Sequence, residues 1–312
     1  MKKIRTSLFL LLLVGLILIT VGYFKGPAYS LTWNNNRLVP IEYVTETQKV
    51  AAFKNIAIDV KDAEVEIISG DVAGVTLTHN KEAKMVVTST DNRLEVKGKE
   101  GVSNVQIGLT SSYPKVTITV PKNSKLDQLV ITNRSGDVKV EQQDAKEITL
   151  DLKSGDVNFS DVNVAGDLKI QQKYGDLQLD QVNSKILAVL NNAGDTKITK
   201  SKFEKFEFEG DYGDINVKAS KWNQSTIKNA SGDISLTDND MFGENVITNR
   251  YGDIKIKSPS TLAVKVITKY GDSYLNGNEI NSNYHTQTKQ TENSLSIESN
   301  SGDVAIDVRE SR

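Results

Sequence analysis

Apolar and polar residues alternate along most of the chain after Phe53, which is the pattern of β-strands that bury one face. Around a recurring glycine, the residues two and four positions later are apolar, and so are those seven and five positions earlier. The pairs that follow the glycines include Val138 and Val140, Val157 and Phe159, Leu177 and Leu179, Ile215 and Val217, Ile234 and Leu236, and Ile254 and Ile256. Apolar periodicity of helical length is missing after Phe24. The pattern therefore predicts an all-β body in which two inward-facing strands flank each glycine.

The glycines recur at a nearly constant interval. Gly-Asp dipeptides stand at Gly136, Gly155, Gly175, Gly194, Gly213, Gly232, Gly252 and Gly271, with successive spacings of 19, 20, 19, 19, 19, 20 and 19 residues. A fixed period in this range is typical of stacked repeats that bury their apolar faces against their neighbours. The sequence predicts a parallel β-solenoid, a single-stranded right-handed β-helix with coils of 19 or 20 residues.

The regular coils are expected over residues 126–275. Residues 53–125 break the period and predict irregular N-terminal coils or a cap, with Ser69-Gly70-Asp71 as an early copy of the repeat. A ninth copy, Ser301-Gly302-Asp303, follows Gly271 after 31 residues. Residues 276–312 are therefore interpreted as an insertion loop and the last coil of the array.

The first residues carry a membrane-targeting pattern. Residues 1–5 contain Lys2, Lys3 and Arg5, and they precede an apolar run within residues 6–24. As a helix this run reaches about 28 Å, close to the thickness of the hydrocarbon core. We predict a cytoplasmic basic flank (1–5), one transmembrane signal-anchor (6–24) and a spacer (25–52). The alternative is a cleaved signal peptide ending near Ala28-Tyr29-Ser30; either way the body is extracytoplasmic.

The corners formed by the repeats predict several columns of like residues. The glycine suits a tight turn with positive φ. Three residues earlier, Asn133, Asn191 and Asn229 are expected to point inward and to form hydrogen bonds from coil to coil. The aspartates after the glycines are expected to form an exposed ladder. Each is predicted to accept a backbone N–H within its own turn, with lysines and arginines nearby, and to bind no calcium.

The residue before the glycine is often tyrosine. Four tyrosines and the aspartates that follow them are the candidate surface-binding residues: Tyr174, Tyr212, Tyr251, Tyr270, Asp176, Asp214, Asp253 and Asp272. Tyr251 and Tyr270 belong to copies that are consecutive in sequence. Aromatic rows on a solenoid can bind sugars or peptides, but they can also shield the corner and stack on one another.

Composition narrows the functional classes. The formal net charge is -2, with 38 basic and 40 acidic residues mixed along the chain, which does not favour a nucleic-acid partner. The absence of cysteine excludes disulfides, thiolate metal sites and a cysteine nucleophile. The two histidines, His79 and His285, lack partners at metal or triad spacing. We predict no catalytic residues, no cofactor and no metal site.

The basic-flanked apolar segment, the phrase Phe53-Lys54-Asn55-Ile56-Ala57-Ile58-Asp59-Val60 and the serial Ser/Tyr-Gly-Asp-Val-x-Val units resemble the bacterial "putative adhesin" β-strand-repeat family, which includes LiaG-like proteins of Gram-positive bacteria. The resemblance covers roughly residues 53–308. It implies an extracytoplasmic β-solenoid, often membrane-tethered and linked to cell-envelope stress, without a catalytic motif.

Three functions are compatible with the sequence. The leading hypothesis is a non-enzymatic, adhesin-like binding or scaffold module at the cell surface, with an envelope protein, a peptide or a glycan as ligand. The alternatives are a polysaccharide-acting lyase or hydrolase, since β-helices host such enzymes, and a passive spacer. Because the acidic residues follow the repeat, the enzyme is disfavoured. The insertion with Tyr284, His285 and Glu292 is the other place to look for function.

Overall fold

The computed structural model describes residues 12–17, 20, 31–34, 37–40, 42–81, 84–98, 106–107, 114–286 and 292–310. The predicted basic flank and most of the predicted membrane span at residues 6–24 lie outside these residues. Residues 12–17 and 20 are helical. Within the described part of the chain, no helix has both the length and the apolar character needed to span a membrane.

The described body consists of β-strands. In the N-terminal third these are β1 (Leu31–Asn34), β2 (Arg37–Pro40), β3 (Tyr43–Lys49), β4 (Phe53–Asp62), β5 (Glu64–Gly70), β6 (Gly74–Asn80), β7 (Met85–Thr90), β8 (Asn92–Gly98), β9 (Gln106–Ile107) and β10 (Lys115–Pro121). The central strands are β11 (Lys125–Ser135), β12 (Val138–Ser154), β13 (Val157–Tyr174), β14 (Leu177–Ala193), β15 (Thr196–Thr199), β16 (Lys202–Tyr212), β17 (Ile215–Lys218), β18 (Lys221–Ser231) and β19 (Ile234–Thr237). The C-terminal strands are β20 (Asp240–Met241), β21 (Glu244–Tyr251), β22 (Ile254–Tyr270), β23 (Ser273–Leu275), β24 (Asn278–Ile280), β25 (Asn283–His285), β26 (Ser294–Ser301) and β27 (Val304–Glu310).

Successive turns of the chain pair in parallel, one directly above the other. Leu129 of β11 lies opposite Ile148 of β12, which in turn lies opposite Leu168 of β13. This register of 19 or 20 residues is that of the sequence repeat, and it confirms the predicted all-β parallel solenoid. We number the coils 1 to 10 along the stack by the residue at the corner: Ala63, Gly136, Gly155, Gly175, Gly194, Gly213, Gly232, Gly252, Gly302 and Gly271.

The alternation of the sequence fills the interior with aliphatic side chains. Val138 and Val140, which follow the glycine of coil 2, are both fully buried, as are Leu129 and Ile131, which precede it. Burial of a Val, Leu or Ile side chain contributes about 1.5–3 kcal/mol, so each coil gains stability mainly from these positions. One cluster of buried apolar residues runs from Phe53 to Val308.

Each regular coil also has a second corner, which the sequence pattern did not reveal. In six of the coils the residue six positions after the glycine has a positive φ although it is not a glycine, as at Gln142 (φ 51°) and Lys200 (φ 49°), whereas Ser258 at the same position of coil 8 does not. A third inward-facing segment follows this corner. It buries polar residues as well as apolar ones, including Ser201, Ser220 and Trp222. Ser220 Oγ accepts a hydrogen bond from the backbone N–H of Ser201 (3.0 Å) and donates one to the carbonyl of Lys218 (3.0 Å).

At the N-terminal end, β4 and β5 form coil 1, whose corner is Asp62-Ala63-Glu64. Ser135 of coil 2 lies opposite Asp62, and Val138 lies opposite Val65. The interpretation of Ser69-Gly70-Asp71 as an early copy of the corner is therefore wrong. Gly70 instead ends strand β5, paired with Pro121 of β10. Beyond coil 1, β8 and β10 add one more parallel layer, which the antiparallel strands β7 and β6 cover.

At the C-terminal end the order of coils in space differs from their order in the sequence. Strand β26 pairs in parallel with β21 on one side and with the second half of β22 on the other. Likewise β27 lies between the first half of β22 and β23. The last coil of the chain is therefore coil 9, inserted between two coils that precede it, and not the end of the stack as its place in the sequence predicts.

The predicted insertion loop contains strands. β23 and β24 form an antiparallel hairpin, and β25 pairs antiparallel with β22 through Val266 and Tyr284. Tyr284 packs against the core, while His285 is exposed. Residues 287–291 lie outside the described part of the chain.

Candidate functional site: the Gly-Asp edge

The corners of the coils form one continuous edge of the solenoid. We call this surface the Gly-Asp edge and define it as the residues directly before and after the corner residue in coils 2 to 10. The corner glycines have φ between 111° and 137°, a region that favours glycine. They also contact the neighbouring coil closely, because a Cβ on Gly155 would lie 2.5 Å from the carbonyl oxygen of Gly136. Tight stacking at the edge therefore requires glycine.

The aspartates of the edge join the coils to each other. Asp137 Oδ1 accepts a hydrogen bond from the backbone N–H of Asp156 (2.9 Å), and the same bond recurs at every step of the stack up to Asp303, which accepts from Asp272. The other steps, at 2.8 to 2.9 Å, involve Asp156, Asp176, Asp195, Asp214, Asp233 and Asp253 as acceptors. The prediction that each aspartate accepts an N–H within its own turn is therefore wrong, because the N–H belongs to the next coil.

The aspartates are exposed, as the alternation predicts. Two carboxylates about 4.8 Å apart repel each other by roughly 0.9 kcal/mol in water. The expected neighbouring cations do not relieve this repulsion through ion pairs: across the described residues, no edge aspartate has a lysine or arginine within 4.0 Å, and Lys139 pairs with Glu141 instead. Donation from the backbone N–H groups to the carboxylates offsets the repulsion.

Behind the edge, side-chain amides satisfy the carbonyls of the corners. Asn249 Nδ2 donates to the carbonyl oxygens of Gly232 (3.0 Å) and Gly252 (3.1 Å), and so connects coils 7 and 8. Asn133 and Asn229 also donate to the corner carbonyl of the preceding coil, whereas Asn191 donates to the carbonyl oxygen of Gly194 within its own coil. The predicted inward orientation of these amides is confirmed. The predicted hydrogen bonds from coil to coil are confirmed for Asn133 and Asn229, where they fix one corner relative to the next.

The four candidate tyrosines are the main apolar groups of the edge. Tyr174, Tyr212, Tyr251 and Tyr270 are 50%, 67%, 53% and 63% exposed. The ammonium groups of Lys173 and Lys269 lie 5.4 Å and 5.2 Å from the ring centroids of the tyrosines that follow them. These are cation–π distances, so two of the rings are held against a neighbouring side chain.

In space the tyrosines alternate with small residues. From coil 3 to coil 10 the residues before the corner glycine are Ser154, Tyr174, Ala193, Tyr212, Ser231, Tyr251, Ser301 and Tyr270. Tyr251 and Tyr270, consecutive in the sequence repeat, are separated by Ser301 of the inserted coil. The sequence shows this alternation as far as Tyr251, and the position of coil 9 extends it to Tyr270.

The ladder makes the electrostatic potential of the edge negative near its end. The charge of Asp272, together with partial desolvation and the charges of Glu279 and Asp303, raises the pKa of Tyr274 above its ordinary value. A shallow cavity of about 630 Å³ lies on the adjacent sheet face, lined by Thr248, Arg250, Ile267, Lys269, Glu298 and Asn300. Within the described ranges, no group of three or more His, Cys, Asp or Glu side chains could hold a metal ion.

Stacked coils with an acidic and aromatic edge define a β-solenoid repeat protein. The chain belongs to the Toastrack DUF4097 family, whose model matches residues 53–307. This confirms the resemblance noted from the repeat. Comparison with curated protein sequences found no match.

Solved structures similar to the chain include a "putative adhesin" from Bacteroides fragilis, at 14% identity, with 85% of this chain and 97% of that chain covered and a TM-score of 0.40. A "putative adhesin" from Parabacteroides distasonis is 13% identical, with 86% and 97% covered and a TM-score of 0.46. A "putative lipid binding protein" from the same species is 14% identical, with 85% and 96% covered and a TM-score of 0.38.

Proposed function

We propose that the protein is a non-enzymatic binding module of the cell surface and that it binds its ligand along the Gly-Asp edge. The observation that supports this proposal is the exposure of the four edge tyrosines. Phe53, Phe159, Phe203, Phe206, Phe208 and Trp222 are all buried in the core. Because the core of the solenoid accommodates these rings, packing does not require four tyrosines to be exposed on one edge.

The edge also supplies polar groups beside the aromatic rings. Each aspartate uses Oδ1 for the neighbouring coil, which leaves Oδ2 oriented by that bond and accessible to a ligand at every coil. A row of fixed acceptors next to exposed rings suits a ligand with both hydrogen-bond donors and apolar faces. The regular spacing of these acids does not support the polysaccharide-cleaving enzyme, which needs two carboxyl groups on opposite sides of one bond.

The proposal includes a membrane tether. The basic residues Lys2, Lys3 and Arg5, followed by the apolar run, support a single span at residues 6–24 with the body outside the cell membrane. The link to cell-envelope stress rests on the family resemblance. In intact cells, a membrane-impermeant amine reagent should label exposed lysines of the body. Labelling only after lysis would contradict the outward orientation.

Binding through the edge is tested by replacing its aromatic side chains. The variant with Tyr174, Tyr212, Tyr251 and Tyr270 all changed to Ser should keep its fold and lose most binding to isolated cell walls, envelope membranes or envelope peptides. The matched control is the pair Val72→Ser and Val86→Ser, because both residues are exposed and lie in the N-terminal part of the chain, outside the edge. Equal binding by both variants, with unchanged circular dichroism, would refute the role of the edge.

A further inference from the structure

The spacing of the edge tyrosines constrains the kind of ligand. Because tyrosines occupy coils 4, 6, 8 and 10, consecutive rings lie two coil spacings apart, which is about 9.6 Å. The whole row spans about 29 Å. Ring pairs that stack on each other have centroids 4.5–7 Å apart, so these tyrosines do not stack. Ring–ring contacts in the described chain are those of Phe203, Phe206 and Trp222 in the core.

The residues between the tyrosines leave the ring faces accessible. Ala193 lies between Tyr174 and Tyr212, Ser231 between Tyr212 and Tyr251, and Ser301 between Tyr251 and Tyr270. The edge therefore offers a periodic series of aromatic platforms with shallow gaps, and an aspartate with an accessible Oδ2 at every coil. A linear ligand with its own matching period can contact all four platforms at once.

We propose that the ligand is an extended, uncharged polysaccharide of β-linked pyranose rings that lies parallel to the stack. This inference rests on the proposed function and specifies its ligand class. The coil spacing of about 4.8 Å is close to the length of one pyranose ring with its glycosidic oxygen. Every second ring then presents its C–H face to a tyrosine. The hydroxyl groups of these rings donate hydrogen bonds to the carboxylates that follow the tyrosines, those of Asp176, Asp214, Asp253 and Asp272.

Two other ligand classes fit less well. A peptide in a β conformation repeats every two residues, about 6.6–6.8 Å, which does not match the tyrosine spacing. A polyproline II peptide has a repeat of about 9.3 Å, which is close to the spacing of the tyrosines. Its backbone, however, presents mainly carbonyl acceptors, which cannot form hydrogen bonds with a row of carboxylate acceptors. An acidic polysaccharide is disfavoured because the edge carries one carboxylate per coil.

The test measures binding of the full chain to neutral β-1,4-linked oligosaccharides of increasing length. Affinity should rise with length and level off near about seven rings, the number that spans coils 4 to 10. Tyr212→Ala should weaken binding of the longest oligomer about tenfold. Dextran and polygalacturonate should bind much more weakly than the neutral β-linked chains.

A variant in which one tyrosine is moved to the next coil separates the effect of tyrosine spacing from the effect of tyrosine number. Tyr212→Ala combined with Ala193→Tyr keeps four tyrosines but moves one of them by a single coil. It should lose affinity as much as Tyr212→Ala alone, with an unchanged melting temperature. Wild-type affinity in the transposed variant would overturn the inference.

The failure of this inference is distinguishable from failure of the proposed function. If no neutral glycan binds while the four-Ser variant still loses binding to envelope fractions, the ligand class is wrong and the edge remains a binding surface. Binding of a proline-rich peptide in place of the glycan would likewise show that the ligand class is wrong and that the edge is a binding surface. If the four-Ser variant binds envelope fractions normally, both proposals fail.

Discussion

At the scale of the residue, the aspartate of each corner has a structural role that its exposure conceals. Asp214 Oδ1 accepts the N–H of Asp233 in the next coil at 2.8 Å. This N–H lies at a sheet corner where the parallel ladder turns, so the carboxylate supplies the acceptor that a strand would otherwise provide. The recurrence of aspartate therefore follows from stacking, while its second oxygen stays available for a ligand.

The contribution of the hydrogen bond between corners to stability can be measured separately from that of the aspartate charge. Asp214→Asn keeps an oxygen acceptor and removes one negative charge, so we expect stability close to that of the wild type. Asp214→Ala removes the acceptor and should lower the free energy of unfolding by about 1 kcal/mol. Urea titration checks both values. If the Ala variant is as stable as the Asn variant, the ladder of hydrogen bonds does not stabilise the stack.

An ion pair near coil 1 predicts a dependence of stability on pH. Lys115 Nζ lies 2.7 Å from Glu66 Oε1. Burial by itself raises the pKa of Glu66, but the hydrogen bond and charge of Lys115 outweigh it, so the pKa lies below its ordinary value. A carboxyl group with a lowered folded pKa stabilises the protein above its unfolded pKa, and this contribution is lost as the pH falls through the folded pKa.

Glu66→Gln should therefore destabilise the protein at neutral pH and have progressively less effect as the medium is acidified through the range of carboxyl titration. Denaturant titrations of both proteins at several pH values check this. Glu46→Gln serves as the control, because the side chain of Glu46 is exposed and makes no ion pair within the described residues. A constant difference between wild type and Glu66→Gln at all pH values would contradict the expectation.

At the scale of the element, the strands next to the glycine were predictable and the remainder of the coil was not. Strict alternation and a nearly constant spacing of 19 or 20 residues identify β11 to β14 as stacked strands, because both follow from burial of one face. The second corner is occupied by Gln142, Asp161, Gln181, Lys200, Ala219 and Asp238, which share no side-chain chemistry. The segment after it buries Ser201 and Ser220, so it does not stand out as apolar.

The requirement for glycine at the first corner is tested by a substitution that adds a single methyl group. In Gly155→Ala the new Cβ would meet the carbonyl of Gly136 at a φ of 132°, so the variant should lose about 2 kcal/mol or more of unfolding free energy. Gly74→Ala is the matched control, because its Cβ would make an ordinary contact of 3.6 Å with Gln48. Thermal unfolding followed by circular dichroism compares them. Similar melting temperatures would show that the corners adjust freely.

At the scale of the whole molecule, the position of the last coil was the main feature that sequence reasoning missed. The copy at Gly302 has the same pattern as the others, so the pattern does not indicate which coils it lies between. Only the pairing of β26 with both β21 and β22 shows where it lies. The same fact explains why the sequence shows Tyr251 and Tyr270 as neighbours, whereas Ser301 separates them in the stack.

Deletion of residues 294–312 tests whether coil 10 depends on the inserted coil 9 for its stability. Without Leu295, Ile297, Val304 and Ile306, coil 10 loses the parallel partner that it packs on, and the amide hydrogens of residues 262–275 should exchange much faster. Coils 2 to 5 should keep their protection, since their neighbours are unchanged. Deletion of residues 311–312 alone is the control. Unchanged exchange in residues 262–275 would indicate that coil 10 settles onto coil 8 by itself.

Because coil 9 follows coil 10 in the sequence, the stack is completed only after residues 294–310 have been synthesised. Residues 262–286 are made before residues 294–310, yet they have to leave a gap, or reopen one, until the later segment enters. A chain released early, or clipped near its C-terminus, would carry an unfinished tip with exposed strand edges and a disturbed tyrosine row. A protease that recognises exposed strand edges would thus distinguish complete molecules from truncated ones by this tip alone.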